Sequence, residues 1–288
     1  MPPHPTRRSS PPWTDRLLAQ FRRRRWRGYL SLTSLLKPGR TRNLLEVATR
    51  YGTRFHLNPD DYVDDFVIRE GFYESEVLEA VRPALRPGAV LWVVGSNFGL
   101  HAVTAKYLHR DARVIAFEPL PAMAARLQEN AELNGVAVEL HTYALSDSAG
   151  VQPFFVNTTG NPAMSTLHPD PAGTYGTRLA VATETAARIV ERGLAPAPTA
   201  AIIDAEGAET EVLRGFGALL ARPELGIVVF EAPNEFPASR EPAGLHDILG
   251  RAGFTIRRLE RAEHTAHRLS NFAGFRATPG VAGAAGSP

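Results

Sequence analysis

The sequence contains no cysteine and only two lysines among its 288 residues. The absence of cysteine excludes a disulfide-stabilised scaffold, thiolate metal sites, iron–sulfur clusters and a cysteine nucleophile. No apolar stretch approaches the roughly 20 residues that a membrane-spanning helix needs. The first residues, MPPHPTRRSSPP, carry charge without a hydrophobic segment behind it, unlike a secretory signal. We therefore expect a cytoplasmic protein without a transmembrane segment.

The charge is distributed unevenly along the chain. The formal net charge is +2, but residues 1–50 hold 12 basic and 2 acidic residues, so they carry +10 and the rest carries −8. With 44% hydrophobic residues, the chain can bury a sizeable core. We divide it into a disordered basic tail (1–12), a basic amphipathic helical extension (13–50), one folded domain (51–277, with a lead-in over 51–88) and a disordered tail (278–288).

The folded domain alternates apolar runs with amphipathic helical segments. This alternation is typical of a parallel β-sheet that is covered by helices on both faces. Two late segments, 255–259 and 272–277, are expected to form an antiparallel pair at one edge. The other predicted strands are residues 54–57, 90–94, 113–117, 138–144, 200–204 and 226–231, and the predicted helices are residues 73–85, 100–109, 121–134, 209–220 and 245–252.

A glycine-containing turn, GSNFG, follows the apolar strand 90–94 and precedes a helix. Glycine at Gly95 and Gly99 would allow positive φ or a close approach of a ligand to the backbone. The N–H groups of the following helix could bind a polar, partly anionic ligand. The spacing differs from the Gly-x-Gly-x-x-Gly fingerprint and disfavours a nicotinamide-dependent oxidoreductase. A tight strand-to-helix connection without a ligand is the alternative.

Acidic residues follow two further predicted strands. Glu118 ends the strand 113–117, where a carboxylate can accept both hydroxyls of a ribose or, alternatively, cap the next helix. Asp204 ends the predicted strand 200–204, and Glu206 and Glu209 follow it. Three carboxylates in six residues exceed what helix capping requires. We therefore expect one or two of them to face a ligand.

Five motifs together carry a family resemblance: GSNFG, VIAFEP, ELNG, YALSD and IIDAEGAETEVLRG occur in this order within residues 71–231. They resemble the FkbM-type methyltransferases. The resemblance implies the α/β class I (Rossmann-like) fold, with a seven-stranded, mostly parallel sheet and helices on both faces. It also implies S-adenosylmethionine as the cofactor.

The resemblance further implies roles for individual residues. The expected catalytic residues are Asp204, as the first candidate for a general base, then Glu206 and Glu231. His101 is interpreted as a packing or capping residue, while His141 and His168 have no recognisable partner. No required metal is expected, although these carboxylates could supply oxygen ligands. The expected cofactor-binding residues are Gly95, Ser96, Asn97, Gly99, Glu118, Pro119, Ala144, Leu145, Asp147 and Asp204, with Ala144 to Asp147 bordering the adenine or simply forming a turn.

Three positions depart from the family's usual pattern. Val93 replaces an acid, Ile202 replaces a lysine, and Pro233 replaces the histidine of a Glu-x-His motif. Each replacement is interpreted here as removing a charged or titratable group from the mouth of the cofactor site. These departures favour an alternative function, a non-catalytic ligand-binding or interaction protein on a diverged methyltransferase scaffold.

The resemblance implies O-methylation of a hydroxyl group on a sugar, a glycan or a natural product. Residues 157–176 are predicted to form a long loop over the mouth of the sheet, where they could cover the acceptor. A small-molecule or glycan acceptor and a possible homo-oligomer are expected, and nucleic acid is not expected as a partner.

Overall fold

The computed structural model describes residues 44–158, 161–169, 175–233, 244–260 and 269–276. These residues belong to two compact units that divide between Tyr73 and Glu74. The predicted tails, and the predicted extension up to residue 43, lie outside the described residues. None of the described helices is both long and apolar enough to cross a bilayer.

The first unit contains a β-hairpin and a helix. Strands β1 (Leu45–Ala48) and β2 (Arg54–Leu57) pair antiparallel, and β2 coincides with a predicted strand. Its alternating pattern buries Phe55 and Leu57 completely. Helix α1 (Tyr62–Glu70) ends at Gly71, which adopts a left-handed conformation. Strand β1 occupies the end of the range that we predicted as helical extension, so that part of the range is not helical.

The second unit alternates strands and helices, as the sequence predicts. Short 3-10 turns follow two of its helices, at residues 82–84 and 217–221. In chain order its elements are α2 (Ser75–Val81), β3 (Val90–Val94), α3 (Leu100–Leu108), β4 (Arg113–Phe117), α4 (Pro121–Leu133), β5 (Glu139–His141), β6 (Ala144–Leu145), β7 (Gly150–Asn157), β8 (Tyr175–Glu184), α5 (Ala186–Glu191), β9 (Ala200–Ile203), α6 (Glu209–Phe216), β10 (Ile227–Pro233), α7 (Leu245–Arg251), β11 (Thr255–Arg258) and β12 (Leu269–Phe275).

Seven strands form the main sheet in the order β11-β12-β10-β9-β3-β4-β5. The pairs from β10 to β5 are parallel, and β12 runs antiparallel to both of its neighbours. On one face, Ile189, Phe216 and Leu249 of helices α5, α6 and α7 share a core with Trp92 and Phe230. On the other face, α2 contacts β9 and β10, and α3 contacts β4. The seven-stranded, mostly parallel α/β sheet is therefore confirmed.

Strand order reverses at β3, which lies between β9 and β4. In open α/β sheets, a crevice forms where the connections from two neighbouring strands leave toward opposite faces of the sheet. Here the crevice lies at the carboxyl ends of β3, β4 and β9. These are the strands that the sequence predicts to carry the glycine turn, Glu118 and Asp204.

A second, three-stranded sheet was not predicted from the sequence. It has the order β6-β8-β7, with β7 and β8 antiparallel. The predicted strand 138–144 is wrong in extent, because only Glu139–His141 joins the main sheet and Ala144 pairs with Thr183 in the second one. Strand β7 contains Pro153, and a proline in a sequence argues against a strand because proline is tolerated only in edge strands. This is part of the reason why β7 was not predicted. The structure accommodates the proline because β7 lies at the edge of its sheet.

Two of the departures from the family pattern are neighbours in the main sheet. Val93 of β3 and Ile202 of β9 are partners in the parallel register, and each is 3% exposed. On either side of the pair lie Ala116 and Val229, so the four central positions of this row are apolar. The acid and the lysine of the family pattern have therefore been replaced by two apolar residues that share one buried environment.

This register predicts a coupled mutational effect. Val93→Asp alone or Ile202→Lys alone should destabilise the fold by about 3–5 kcal/mol, because each buries an unpaired charge. The double variant should lose less free energy of unfolding than the two single variants together, by at least about 1 kcal/mol, since the two charges would be neighbours. Urea unfolding of the four proteins measures this coupling.

The control pairs Val93→Asp with Val229→Lys. These positions are separated by strand β9, or roughly 10 Å, so no recovery is expected. Strictly additive costs for the Val93 and Ile202 variants would contradict the predicted coupling.

Candidate active site

A cleft opens at the crevice beside β3, β4 and β9. Residues after these strands form one side, and the second sheet and the segment 161–169 form the other. Its lining contains carboxylates but no lysine, arginine or histidine among the described residues. The lining residues are Val94, Gly95, Asn97, Phe117, Glu118, Pro119, Leu120, Met123, Ala144, Leu145, Phe154, Ala163, Ser165, Leu167, Asp204, Ala205, Glu206 and Ala208.

Most of the predicted site residues come together in this cleft. Four do not line it: Ser96, Gly99, Asp147 and Glu231. Ser96 is buried and its Oγ donates to the carbonyl oxygen of Val93 (2.6 Å), whereas Asp147 is exposed. The predicted residues that do line the cleft are Gly95, Asn97, Glu118, Pro119, Ala144, Leu145, Asp204 and Glu206.

Gly95 is required by a close backbone contact. Its φ is +75°, and a Cβ atom there would lie 1.7 Å from the carbonyl oxygen of Asp204. The N–H of Asp204 donates to the carbonyl oxygen of Val94 (3.0 Å). Gly99 has φ +92°, and a Cβ atom there would lie 2.8 Å from Cγ of Leu127 in α4. The glycine turn therefore packs against the segment after β9 through Gly95 and against helix α4 through Gly99.

Glu118 connects the glycine turn to the start of α4. Its Oε2 accepts from the N–H of Asn97 (2.7 Å), and its Oε1 accepts from the N–H of Leu120 (2.8 Å). Burial raises the pKa of Glu118 to about 7, although the two hydrogen bonds have the opposite effect and lower it. Each carboxylate oxygen has a further lone pair that can accept a hydrogen bond from a ribose hydroxyl. Capping of the next helix, which we considered as an alternative role for Glu118, is therefore compatible with a bound ribose.

A tight acidic turn follows β9. Glu206 adopts φ +50° and Gly207 adopts φ +96°. The carboxylate of Glu209 accepts from the N–H groups of Ala205 (2.9 Å) and Gly207 (3.1 and 3.2 Å). Glu209 therefore caps the turn, while Asp204 and Glu206 line the cleft.

Negative charge accumulates around Glu206. Burial raises the pKa of Glu206 well above its usual range, and the carboxylates of Asp204, Glu231, Glu209 and Glu74 raise it further. Glu231 thus affects the cleft electrostatically without lining it. A group of neighbouring carboxylates favours a cationic ligand.

An apolar wall faces the glycine turn. Leu120 and Met123 of the α4 region pack with Phe154 of β7 and Leu167 in one buried cluster. Such a wall suits a flat heterocyclic ring. Phe154 was not predicted as a site residue, because it lies in no predicted strand and no motif marks it. Leu167 belongs to the segment 157–176 that was predicted to lie over the mouth of the sheet.

The three histidines considered in the sequence lie outside the cleft lining. His101 Nε2 lies 3.2 Å from the carbonyl oxygen of Glu74, and burial lowers the pKa of His101 to about 4, so it is neutral at pH 7. His141 does have partners, namely Glu139 Oε1 and the Tyr143 hydroxyl, each at 3.1 Å. His168 Nε2 lies 3.5 Å from an oxygen of Glu211. The expectation that His141 and His168 lack partners was wrong.

Val93 and Ile202 also lie outside the cleft lining, in the buried interior of the main sheet. Within the described ranges, no group of three or more acidic or histidine side chains is arranged to hold a metal ion. The metal requirement stays a prediction.

Comparison with known proteins gives matches to methyltransferases. Residues 94–256 match the family described as the methyltransferase FkbM domain. The hexuronic acid methyltransferase AglP of Haloferax volcanii is 29% identical over 239 residues, or 79% of this chain and 90% of that relative. The 31-O-demethyl-FK506 methyltransferase FkbM of Streptomyces tacrolimicus is 41% identical over 90 residues, or 31% of this chain and 34% of that relative.

Among solved structures, the chain is similar to the tRNA (uracil-54, C5)-methyltransferase of Pyrococcus abyssi in complex with S-adenosyl-L-homocysteine. The identity is 12% and the TM-score is 0.46, over 81% of this chain and 44% of that one.

The close contact at Gly95 predicts a selective loss of stability and binding. Gly95→Ala should destabilise the fold by more than about 3 kcal/mol and abolish nucleoside binding, because the new methyl group would overlap the Asp204 carbonyl. Gly135→Ala is the matched control, since Gly135 also has positive φ (+60°) but nothing within 4 Å of the added Cβ. Its expected cost is about 1 kcal/mol from backbone strain alone. Similar unfolding midpoints for the two variants would contradict this assignment.

The buried carboxylates predict an unusual pH dependence of stability. Glu118 has a folded pKa of about 7, above its ordinary 4.5. The folded state then holds a proton that the unfolded state has released, so stability falls as pH rises. The neutral His101 has the opposite effect, but only below about pH 6.5.

Between about pH 6.5 and 8.5, ligand-free protein should therefore lose roughly 1 kcal/mol of stability through Glu118. The raised pKa of Glu206 acts in the same direction. Urea midpoints across this window measure the loss. A flat or rising stability would show that these carboxylates are already ionised in the fold.

Proposed function

Since the chain belongs to the FkbM family of methyltransferases, we propose that it methylates a hydroxyl oxygen of a sugar, a glycan or another natural product. S-adenosylmethionine is the methyl donor. Two relatives support this acceptor class by their names, one a hexuronic acid methyltransferase and the other a 31-O-demethyl-FK506 methyltransferase.

The residues of the cleft fit S-adenosylmethionine. Gly95 keeps the backbone of the turn free of a side chain, and the buried Glu118 carboxylate is placed to accept ribose hydroxyls. The apolar wall with Met123 and Phe154 suits the adenine ring. Asp204 and Glu206 supply negative charge for a cation. When bound, the cofactor supplies a methyl group on a positively charged sulfur, which is a good leaving group.

The observation that carries the proposal is that Asp204 and Glu206 line the same cleft as Asn97 and Glu118. A hydroxyl acceptor needs a base that takes its proton while its oxygen attacks the methyl carbon. A carboxylate at the end of β9 lies on a rigid strand and is suited to this task. We assign the base to Asp204, because its backbone is held directly by Val94.

The other two catalytic candidates take supporting roles in this proposal. Glu206 provides charge opposite the cationic cofactor. Glu231 lies outside the cleft lining and acts through its effect on the pKa of Glu206. Methyl transfer otherwise requires mainly alignment of the acceptor oxygen with the methyl group.

The proposal is tested by incubating the protein with S-adenosylmethionine and a panel of hydroxyl acceptors, including p-nitrophenyl glycosides and glucuronides, and measuring S-adenosylhomocysteine formation. With an active acceptor, Asp204→Asn should lower kcat by about 100-fold or more, as expected for loss of a general base. The affinity for S-adenosylhomocysteine should change by less than about 3-fold, a difference below 1 kcal/mol.

The control is Asp111→Asn, because Asp111 is exposed and lies at the opposite end of β4. It should keep wild-type turnover. If the folded protein binds S-adenosylmethionine but methylates no acceptor, the non-catalytic alternative is favoured. If it does not bind S-adenosylmethionine, the proposed function is wrong.

A further inference from the structure

The segment 161–169 is attached to the edge of the second sheet by main-chain hydrogen bonds. Phe155 and Thr166 form an antiparallel bridge, with N–H to O distances of 2.8 and 3.0 Å. The hydroxyl oxygen of Ser165 accepts from the N–H of Asn157 (3.1 Å). This part of the predicted loop is therefore a short strand-like addition to β7, with a defined position over the cleft.

Thr166 also connects this segment to the acidic turn after β9. Its hydroxyl donates to the carbonyl oxygen of Glu206 (2.6 Å) and accepts from the N–H of His168 (2.9 Å). Thr166 is 3% exposed, so water does not compete freely for this hydrogen bond.

The acceptor of this bond is a strained residue. Glu206 has φ +50°, a conformation that costs free energy for any residue other than glycine. A residue held in this way depends on the surrounding contacts. Because the peptide carbonyl of Glu206 is held by Thr166, the backbone at Glu206 is constrained, and with it the direction in which the side chain leaves the main chain.

The neighbours of Thr166 in sequence face the same cleft. Ser165 and Leu167 both line it, opposite Asp204 and Glu206. A single buried hydroxyl thus joins the wall formed by the second sheet to the carboxylates at the end of the main sheet.

We propose that Thr166 is a positioning residue that holds Glu206 so that its carboxylate faces the positive charge of the bound cofactor. This inference rests on the proposed function, since it requires S-adenosylmethionine in the cleft. It adds a residue that no motif marks, from a part of the chain outside the main sheet.

The charge of the ligand provides a direct readout. S-adenosylmethionine carries a sulfonium charge that S-adenosylhomocysteine lacks, so the ratio of their affinities reports the electrostatic field at that point. Among the described residues, the carboxylates of Asp204, Glu231, Glu209 and Glu74 act on Glu206, and each of them raises its pKa. As pH rises, Glu206 loses its proton, and the preference for the cationic ligand should increase.

The experiment measures both dissociation constants by titration calorimetry at about pH 6.5 and about pH 8.5, two values that both lie above the ordinary pKa of a glutamate. In the wild type, the preference for S-adenosylmethionine should rise by about 3- to 10-fold between the two pH values. In Thr166→Val this rise should disappear, while the affinity for S-adenosylhomocysteine stays within about 2-fold. Thr166→Ser, which keeps the hydroxyl, should restore the wild-type profile.

The matched control is Thr183→Val. The Thr183 hydroxyl donates to the carbonyl oxygen of Ser148 (3.0 Å) in the same sheet, and Thr183 is 4% exposed. This variant loses the same kind of buried bond away from Glu206, so it should keep the wild-type pH profile even if its unfolding midpoint falls. Thr166→Ala is measured in parallel in case the valine methyl group prevents folding.

Glu206→Gln separates this inference from the proposed function. It should remove the pH-dependent rise, and adding Thr166→Val to it should have no further effect on the affinity ratio. A wild-type profile in Thr166→Val or in Glu206→Gln, with cofactor binding and turnover intact, overturns the inference alone. Failure of the folded wild type to bind S-adenosylmethionine overturns the proposed function and the inference with it.

Discussion

The contact between Gly95 and the carbonyl oxygen of Asp204 is the constraint on which the cleft depends. Strands β3 and β9 are neighbours, and their carboxyl-terminal connections meet where a side chain on residue 95 would occupy the space of the carbonyl. This contact brings the glycine turn and the carboxylates of Asp204 and Glu206 to one cleft. Glu118 then fixes the same turn from the side of β4 through the N–H of Asn97.

Such a site lowers the stability of the protein when no ligand is bound. Glu118, Glu206 and Glu209 are buried carboxylates with raised pKa values, and the described part of the cleft lining contains no basic side chain to pair with them. Backbone N–H groups solvate Glu118 and Glu209, but mutual repulsion among the acids remains. A cationic ligand relieves that repulsion, so the electrostatics that destabilise the empty fold contribute to binding and selectivity.

The central strands β3, β4 and β9 of the main sheet could be predicted from the sequence because they are short, largely apolar runs, each followed by a glycine or an acid. Strands β3 and β4 were placed without error for this reason. The second sheet could not be predicted in the same way. Its strand β7 contains Pro153 and has no buried face of its own until it packs on Met123 and Leu167. Likewise, the bond from Thr166 to Glu206 joins residues 40 positions apart and leaves no pattern in the sequence.

The pairing of β3 with β9 changes the meaning of the divergence at Val93 and Ile202. Considered separately, the loss of an acid and the loss of a lysine suggest a damaged cofactor site. The register shows that both positions lie side by side in the buried interior of the sheet, outside the cleft lining. Replacing a buried ion pair by well-packed apolar residues is often neutral or stabilising. Because the two changes together leave no unpaired charge, they are consistent with a chain that kept its fold and its cleft.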